Sequence, residues 1–149
     1  MATPRLPADF KEFLNLLNSE RVEYLLVGGY AIIHYAKPRA TGDMDIGVNP
    51  SPHDAERVVR VLNRFGFRDP SITLARFSAE SKVFRMGVPP LRIELLTPVS
   101  GLTFEQAFAH RRWVTIDSTE VSLIDLNDLK INQRATGRRK DLDDWGALP

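Results

Sequence analysis

Cysteine is absent from the 149 residues of this sequence. Without cysteine there is no disulfide framework and no thiolate ligand for a metal ion. Only three histidines remain as nitrogen ligands, and His34, His53 and His110 are far apart along the chain. We therefore expect no zinc site, and the lack of cysteine fits a cytoplasmic protein.

Long apolar runs and an excess of one charge are also missing. No apolar run reaches the roughly 18 residues that a membrane span needs, and the first residues lack the apolar stretch of a signal peptide. Lysine and arginine number 20 against 19 acidic residues, so the net charge of +1 indicates no particular partner. We expect no membrane association.

The composition is that of a globular domain. Hydrophobic residues make up 43% of the chain and charged residues 26%, which provides enough apolar material for a core. A length of 149 residues is about that of one ordinary domain. We predict a single domain that spans residues 1–149.

Periodic patterns of apolar residues predict helices and strands in alternation. A first helix is expected after Pro7, where four apolar residues have helical spacing: Phe10, Phe13, Leu14 and Leu17. Strands are predicted at residues 24–27, 43–48, 82–86, 91–96, 113–116 and 120–121. Further helices are predicted at residues 31–35, from Pro52 to a stop at Gly66, at residues 104–110, from Ser122 or Asp125 to about Thr136, and at residues 139–148.

This order of elements indicates the fold class. Helices alternate with strands in the first half, and strands and then helices follow in the second half. Such an order is typical of an α/β or α+β domain with a mixed sheet flanked by helices. We also expect the C-terminal part to be helical.

Two adjacent glycines follow the predicted strand at residues 24–27. A strand that runs into Gly28 and Gly29 and then into a helix places free backbone N–H groups at a helix N-terminus, which favours an anion such as phosphate. The alternative is that both glycines form only a tight turn. Taken alone, the pair does not decide between these interpretations.

Two acidic residues lie close together in the next predicted strand. Asp43 and Asp45 are two positions apart and project to the same side, about 6–7 Å from each other. Magnesium prefers oxygen ligands, typically one or two carboxylates together with phosphates and water. An exposed face of an amphipathic strand is the alternative, but the glycine turn shortly upstream favours a metal site.

These residues together resemble the signature of a known family. The segments that carry the resemblance are Gly28-Gly29-Tyr30-Ala31, His34, Pro38-Arg39, Thr41 and Asp43-Met44-Asp45-Ile46. They are similar to the nucleotidyltransferase superfamily that includes DNA polymerase beta and, within it, to the small bacterial branch of AbiEii-type toxin nucleotidyltransferases. The resemblance is strongest over residues 24–48 and weaker over residues 91–97 and 126–145.

The resemblance implies the nucleotidyltransferase fold and roles for several residues. Gly28 and Gly29 would contact the triphosphate of a nucleotide, while Asp43 and Asp45 would bind Mg²⁺ or Mn²⁺. The family has a third carboxylate on a later strand, often aspartate, and Glu94 occupies that place. Glu94 would help a metal to activate the acceptor hydroxyl, or it is an exposed acid that pairs with Arg92 or another neighbour.

Three further residues are implied as helpers in nucleotide binding. Arg39 can bind phosphate through two N–H groups, and Thr41 can donate from its hydroxyl. Arg39 can equally pair with Asp43 or with a surface acid. Lys130, on a predicted helix, resembles a lysine of AbiEii-type chains and would bind the β- or γ-phosphate as a point charge.

The implied activity is metal-dependent transfer of a nucleoside monophosphate from a nucleoside triphosphate to an acceptor hydroxyl. RNA, a protein or a small molecule can each supply that hydroxyl. The basic run at residues 130–140 favours RNA or another phosphorylated acceptor, unless it is only a solvated helix face. A further implication is a toxin with a cognate antitoxin as its partner. The alternative is a catalytically inactive or partner-dependent module that binds nucleotide or another protein.

Overall fold

The computed structural model describes residues 5–36, 41–78, 83–88, 91–97, 99–136, 146 and 148–149. In chain order the described elements are α1 (Ala8–Ser19), β1 (Tyr24–Val27), α2 (Gly28–Tyr35), β2 (Asp43–Val48), α3 (Pro52–Phe65), α4 (Leu74–Phe77), β3 (Val83–Val88), β4 (Leu91–Leu96), α5 (Phe104–Ala109), β5 (Arg112–Ile116), β6 (Thr119–Leu123) and α6 (Leu126–Thr136). They form an α+β fold, which confirms the predicted class. Of the helices described, none combines the length and the hydropathy of a bilayer span.

The six strands form one mixed sheet in the order β3-β4-β2-β1-β6-β5. Strand β2 runs antiparallel to β1 and parallel to β4, and β6 runs parallel to β1. The outer strands β3 and β5 are antiparallel to β4 and β6. The C-terminal end of β1 therefore meets the N-terminal ends of β2 and β4 at one end of the sheet, and α2 begins at this same end.

The apolar stripe predicted for the first helix is buried in the core. Its members are the four residues with helical spacing, Phe10, Phe13, Leu14 and Leu17. Helix α1 packs against α3 and β6. The ring of Phe13 meets that of Phe65 edge-on, with the ring centroids 5.2 Å apart. The stripe thus belongs to the hydrophobic core that also contains the inner face of the sheet.

Helix α3 begins and ends at the predicted residues. The Ser51 hydroxyl accepts a hydrogen bond from the backbone N–H of Asp54 at 3.3 Å, which caps the helix at its N-terminus. Gly66 ends the helix with φ at +109°, a value that residues with a Cβ atom rarely adopt. The buried carboxylate of Asp54 also accepts from the N–H of Glu23 at 3.0 Å and so ties α3 to the start of β1.

Several predicted boundaries differ from the structure. Helix α2 begins at Gly28 and not at residue 31, because both glycines belong to its first turn. Ser122 lies within β6, where its hydroxyl donates to the carbonyl oxygen of Tyr24 at 2.7 Å. Helix α6 therefore begins only at Leu126, directly after Asp125.

Two further differences concern short or peripheral segments. Helix α4 was not predicted, because its four residues are too few to show a periodic pattern. Strand β3 extends to Val88, so only two residues separate it from β4. Of the helix predicted at residues 139–148, nearly all lies outside the described residues.

The hydroxyl of Tyr24 joins three elements inside the protein. It donates to Oδ1 of Asn18 in α1 at 2.8 Å and accepts from the backbone N–H of Ser122 in β6 at 3.2 Å. Burial raises the pKa of Tyr24 to about 12. The folded protein therefore stabilises the neutral phenol.

We expect stability to fall in alkali, with part of that fall due to Tyr24. The unfolded chain loses the phenol proton near pH 10, whereas the folded protein keeps it up to about pH 12. The stabilising effect is thus complete below about pH 10 and is lost as the pH rises through about 12. The measurement is urea unfolding across this pH range. The free energy of unfolding of the wild type should fall by about 1–3 kcal/mol more than that of Tyr24→Phe.

A second tyrosine titrates in the same pH range, but its contribution cancels when the two proteins are compared. Burial also raises the pKa of Tyr35 to about 12, but Tyr35 is present in both proteins. A parallel loss of stability in the wild type and in Tyr24→Phe would contradict the assignment to Tyr24.

Candidate functional site

Strand β2 presents two carboxylates at the end of the sheet where α2 begins. Asp43 and Asp45 lie on its partly exposed face, whereas Met44, Ile46 and Val48 on the other face are fully buried. This alternation follows from the two-residue period of a strand. Because the apolar residues enter the core, both carboxylates are held on the opposite side, as predicted.

The pairing of β2 with β4 brings a third carboxylate beside these two. Asp45 is directly opposite Glu94, and Asp43 is directly opposite Arg92. Residues that pair across neighbouring strands project to the same face of a sheet, with the strands about 4.8 Å apart. Asp43, Asp45 and Glu94 therefore share one face at one end of the sheet.

A polar cavity of about 260 Å³ lies at this face. Among the described residues, its lining includes three carboxylates, two arginines, a threonine and a helical glycine, which are Asp43, Asp45, Glu94, Arg85, Arg92, Thr41 and Gly29. We call this space the carboxylate cavity. The charges of this described part of the lining nearly balance, because two guanidinium groups face three carboxylates.

Arg92 binds Asp43 through two hydrogen bonds. The Nε atom of Arg92 donates to Oδ1 and Nη2 donates to Oδ2, both at 3.1 Å. These hydrogen bonds, together with the charge of Asp43, raise the pKa of Arg92. About a third of each side chain is exposed, 32% for Arg92 and 36% for Asp43. Solvent therefore reaches the pair and screens it, so the pair contributes little to stability.

Glu94 has an arginine partner of its own. The Nε atom of Arg85 donates to Oε1 of Glu94 at 2.9 Å. The Arg85 side chain is 60% exposed, whereas that of Glu94 is only 16% exposed. The alternative in which Glu94 pairs with a neighbouring arginine is thus realised, although the partner is Arg85 on β3 and not Arg92.

Gly28 makes room for the side chain of Asp45. Its φ is +66°, which favours glycine, and a Cβ atom placed on it would lie 2.2 Å from Oδ2 of Asp45. The turn at the end of β1 and the carboxylate on β2 are therefore in direct contact. Of the two glycines expected to face the triphosphate, Gly29 lines the carboxylate cavity and Gly28 packs against Asp45.

The predicted helper residues have different positions. Thr41 lines the carboxylate cavity, and its hydroxyl donates to the carbonyl oxygen of Asp43 at 3.3 Å. Lys130 lies on α6, as predicted, but is not part of the cavity lining. Arg39 lies outside the described residues, as do residues 137–140 of the basic run.

The chemistry of the lining suits a hard divalent cation. Carboxylate oxygens are the ligands that Mg²⁺ and Mn²⁺ prefer, and the absence of a side chain on Gly28 leaves space for Asp45 beside the turn. Within the described ranges, no three acidic or histidine side chains form a ready-made metal-binding group. Instead, Asp43 and Glu94 are held by Arg92 and Arg85.

A second cavity, of about 330 Å³, is lined by His110, Asp125, Asn127 and Asp128. In the sequence, His110 stands apart from the other two histidines. Its ring is exposed, but Nδ1 lies 2.9 Å from Oδ2 of Asp128, whose side chain is only 9% exposed. The sequence offered no signal for this cavity, because its residues come from the ends of three separate elements.

None of the protein-family models matches the chain, and none of the curated proteins gives a significant match. The resemblance to the nucleotidyltransferase superfamily therefore rests on the sequence signature and stays a prediction.

Proposed function

We propose that this chain is a nucleotidyltransferase, which moves a nucleoside monophosphate from a nucleoside triphosphate to an acceptor hydroxyl. The observation that carries the proposal is the meeting of three carboxylates with the start of α2 around one polar cavity. Asp43, Asp45 and Glu94 supply oxygens for divalent cations, and Gly29 brings the helix N-terminus to the same place. A site that binds a triphosphate needs both ligands for divalent cations and donors for the phosphate oxygens.

The size of the carboxylate cavity indicates which part of the nucleotide it would hold. At about 260 Å³ it is smaller than most sites that enclose a whole ligand. We assign the triphosphate to this cavity, with the base and the ribose at its opening. The first N–H groups of a helix have no partner within the helix, so the first turn of α2 would hold phosphate oxygens.

In the proposed reaction, the oxygen of the acceptor hydroxyl bonds to the α-phosphorus while the bond from that phosphorus to the pyrophosphate oxygen breaks. Pyrophosphate leaves with the electron pair of the broken bond, and the hydroxyl proton is released to solvent. Mg²⁺ or Mn²⁺ held by Asp43, Asp45 and Glu94 would supply the positive charge that stabilises both oxygens. Glu94 is assigned to the side of the acceptor hydroxyl, and Thr41 to the side of the leaving phosphates.

Two further residues and the partners complete the proposal. Arg39 and Lys130 are assigned to the triphosphate, as the sequence signature implies. RNA, a protein or a small molecule provides the acceptor hydroxyl, and a cognate antitoxin is the expected partner if the chain acts as a toxin.

A module that binds nucleotide or a partner protein without turnover is the second candidate. The observation that favours it is the pairing of Asp43 with Arg92 and of Glu94 with Arg85. In such a module these pairs would be permanent and would neutralise the acids for a structural purpose. The two candidates therefore differ in whether triphosphate binding is followed by transfer.

We expect the wild-type chain to transfer label from at least one nucleoside triphosphate to an acceptor when magnesium is present. The test incubates the chain with each triphosphate, labelled at the α-phosphate, together with total RNA and total protein. Transfer should stop when a chelator removes the divalent cation. The same mixtures without acceptor serve as the blank.

Calorimetry with magnesium and each triphosphate completes this experiment. Binding without transfer to RNA, protein or small hydroxylated molecules would favour the non-catalytic module. If there is neither binding nor transfer, the transferase and the nucleotide-binding module are both wrong.

A further inference from the structure

We infer that Arg92 is an internal counter-cation, which holds Asp43 in the ligand-free protein and moves to the triphosphate when a divalent cation binds that carboxylate. The inference rests on the proposed function, because it assigns a regulating role within the same cavity. Arg85 does the same for Glu94 on the neighbouring strand. The two arginines thereby set how tightly the site binds metal before the nucleotide arrives.

The hydrogen bonds of Arg92 are the first observation behind this role. Both oxygens of Asp43 accept from its guanidinium, each at 3.1 Å. A cation that binds either oxygen lies close to this guanidinium and is repelled by its positive charge. Metal binding to Asp43 and the present position of Arg92 therefore oppose each other.

The balance of charge in the carboxylate cavity is the second observation. Asp43, Asp45 and Glu94 face Arg85 and Arg92, so the described lining has one negative charge in excess. A divalent cation beside Asp43 and Asp45 would reverse that sign and repel the nearby guanidinium groups. A triphosphate, with its several negative charges, would then attract those same groups.

The side chains of both arginines have the freedom and the chemistry for this exchange. Arg92 is 32% exposed and Arg85 is 60% exposed, so neither guanidinium is locked in the core. The planar guanidinium group binds phosphate through two parallel N–H groups as well as it binds carboxylate. Each arginine can therefore exchange one anionic partner for another without crossing the sheet.

The substitution Arg92→Gln should change two affinities in opposite directions. Without the competing guanidinium, calorimetric titration with Mn²⁺ alone should show binding about tenfold tighter than in the wild type. With Mn²⁺ saturating, a triphosphate analogue that has a non-hydrolysable α–β bridge should bind about tenfold more weakly. A loss of structure alone would weaken the binding of both Mn²⁺ and the analogue. Opposite changes in these two affinities therefore identify the exchange.

Arg60→Gln is the matched control. Arg60 pairs with Glu20 at 3.1 Å on the surface formed by α1 and α3, away from the cavity lining. Its substitution should leave both affinities unchanged. Thermal unfolding of both variants should confirm that each remains folded.

The outcomes separate this inference from the proposed function. Unchanged or weaker Mn²⁺ binding in Arg92→Gln, with clear binding in the wild type, would overturn the exchange alone. Absence of Mn²⁺ binding in both proteins would overturn the exchange and the metal site together. If both affinities move as expected but no acceptor is ever labelled, the exchange stands and the transferase proposal fails.

Discussion

Replacing Asp43 and Asp45 together with asparagine should abolish magnesium-dependent nucleotide transfer. The double variant removes two of the three carboxylates that line the cavity, and with them most of the charge that would hold a divalent cation. We expect the rate to fall by roughly a thousandfold or more, since the loss of even one preorganised electrostatic group costs enzymes about 10²–10³. Transfer of α-phosphate label under saturating magnesium measures the effect.

The fold should survive this double substitution. Asparagine has nearly the shape of aspartate, and the Asp43–Arg92 pair is too exposed to contribute much to stability. Glu20→Gln is a suitable control, because Glu20 also binds arginines at 3.1 Å but lies outside the carboxylate cavity. Transfer that persists in the folded double variant would show that the metal assignment is wrong.

The substitution Gly28→Ala should damage both stability and activity. Alanine is strained at a φ of +66°, and its Cβ atom would lie 2.2 Å from Oδ2 of Asp45. The backbone strain costs about 1–2 kcal/mol, and displacement of the carboxylate adds to it, so we expect a total loss of roughly 2–4 kcal/mol. Because Asp45 must move, transfer should fall by at least about a hundredfold. Urea unfolding and the transfer assay measure the two effects.

Gly66→Ala separates backbone strain from the effect on the cavity. Gly66 also has a positive φ, +109°, but a Cβ atom on it would have no neighbour within 4 Å. This variant should lose stability through strain alone and keep its transfer activity at a temperature where it is folded. Equal transfer by folded Gly28→Ala and Gly66→Ala would refute the link between the glycine turn and the position of Asp45.

Much of the fold near the site could be predicted, because it depends on local periodicity. The bounds of β2 follow from the alternation of acidic and apolar residues, and those of α3 from a serine cap, a proline and a glycine stop. The strand at residues 24–27 follows from an apolar run that two glycines end. Where such signals are absent, as at α4, no element was predicted. At the start of α6 the sequence left Ser122 and Asp125 as alternatives, and Asp125 is the one that directly precedes the helix.

The position of one turn explains why the role of Arg85 could not be predicted. The predicted strands at residues 82–86 and 91–96 leave a connection at residues 87–90. That connection would have placed Arg85 opposite Arg92, with like charges side by side. The structure has only residues 89–90 between the strands, and Arg85 pairs with Glu94. A shift of two positions keeps each side chain on its face but changes its cross-strand partner, so periodicity alone does not determine the pairing.

The arrangement of the site could be predicted only in part. Strand faces indicate that Asp43 and Asp45 lie together, but the position of Glu94 beside Asp45 depends on which strands are neighbours. The contact between Gly28 and Asp45 likewise requires the packing of α2 on β2. Such long-range relations are set by the whole core and have no local signature in the sequence.

Arginines alternate with acidic residues across β3, β4 and β2. This arrangement also affects how the chain folds. Asp45 and Glu94 sit directly opposite each other, and like charges in that relation weaken a sheet. Arg85 and Arg92 lie beside them on the same face, and their positive charges offset the repulsion between the two carboxylates. The sheet therefore needs no bound ion to balance these charges, and we expect the protein to stay folded in the presence of a chelator.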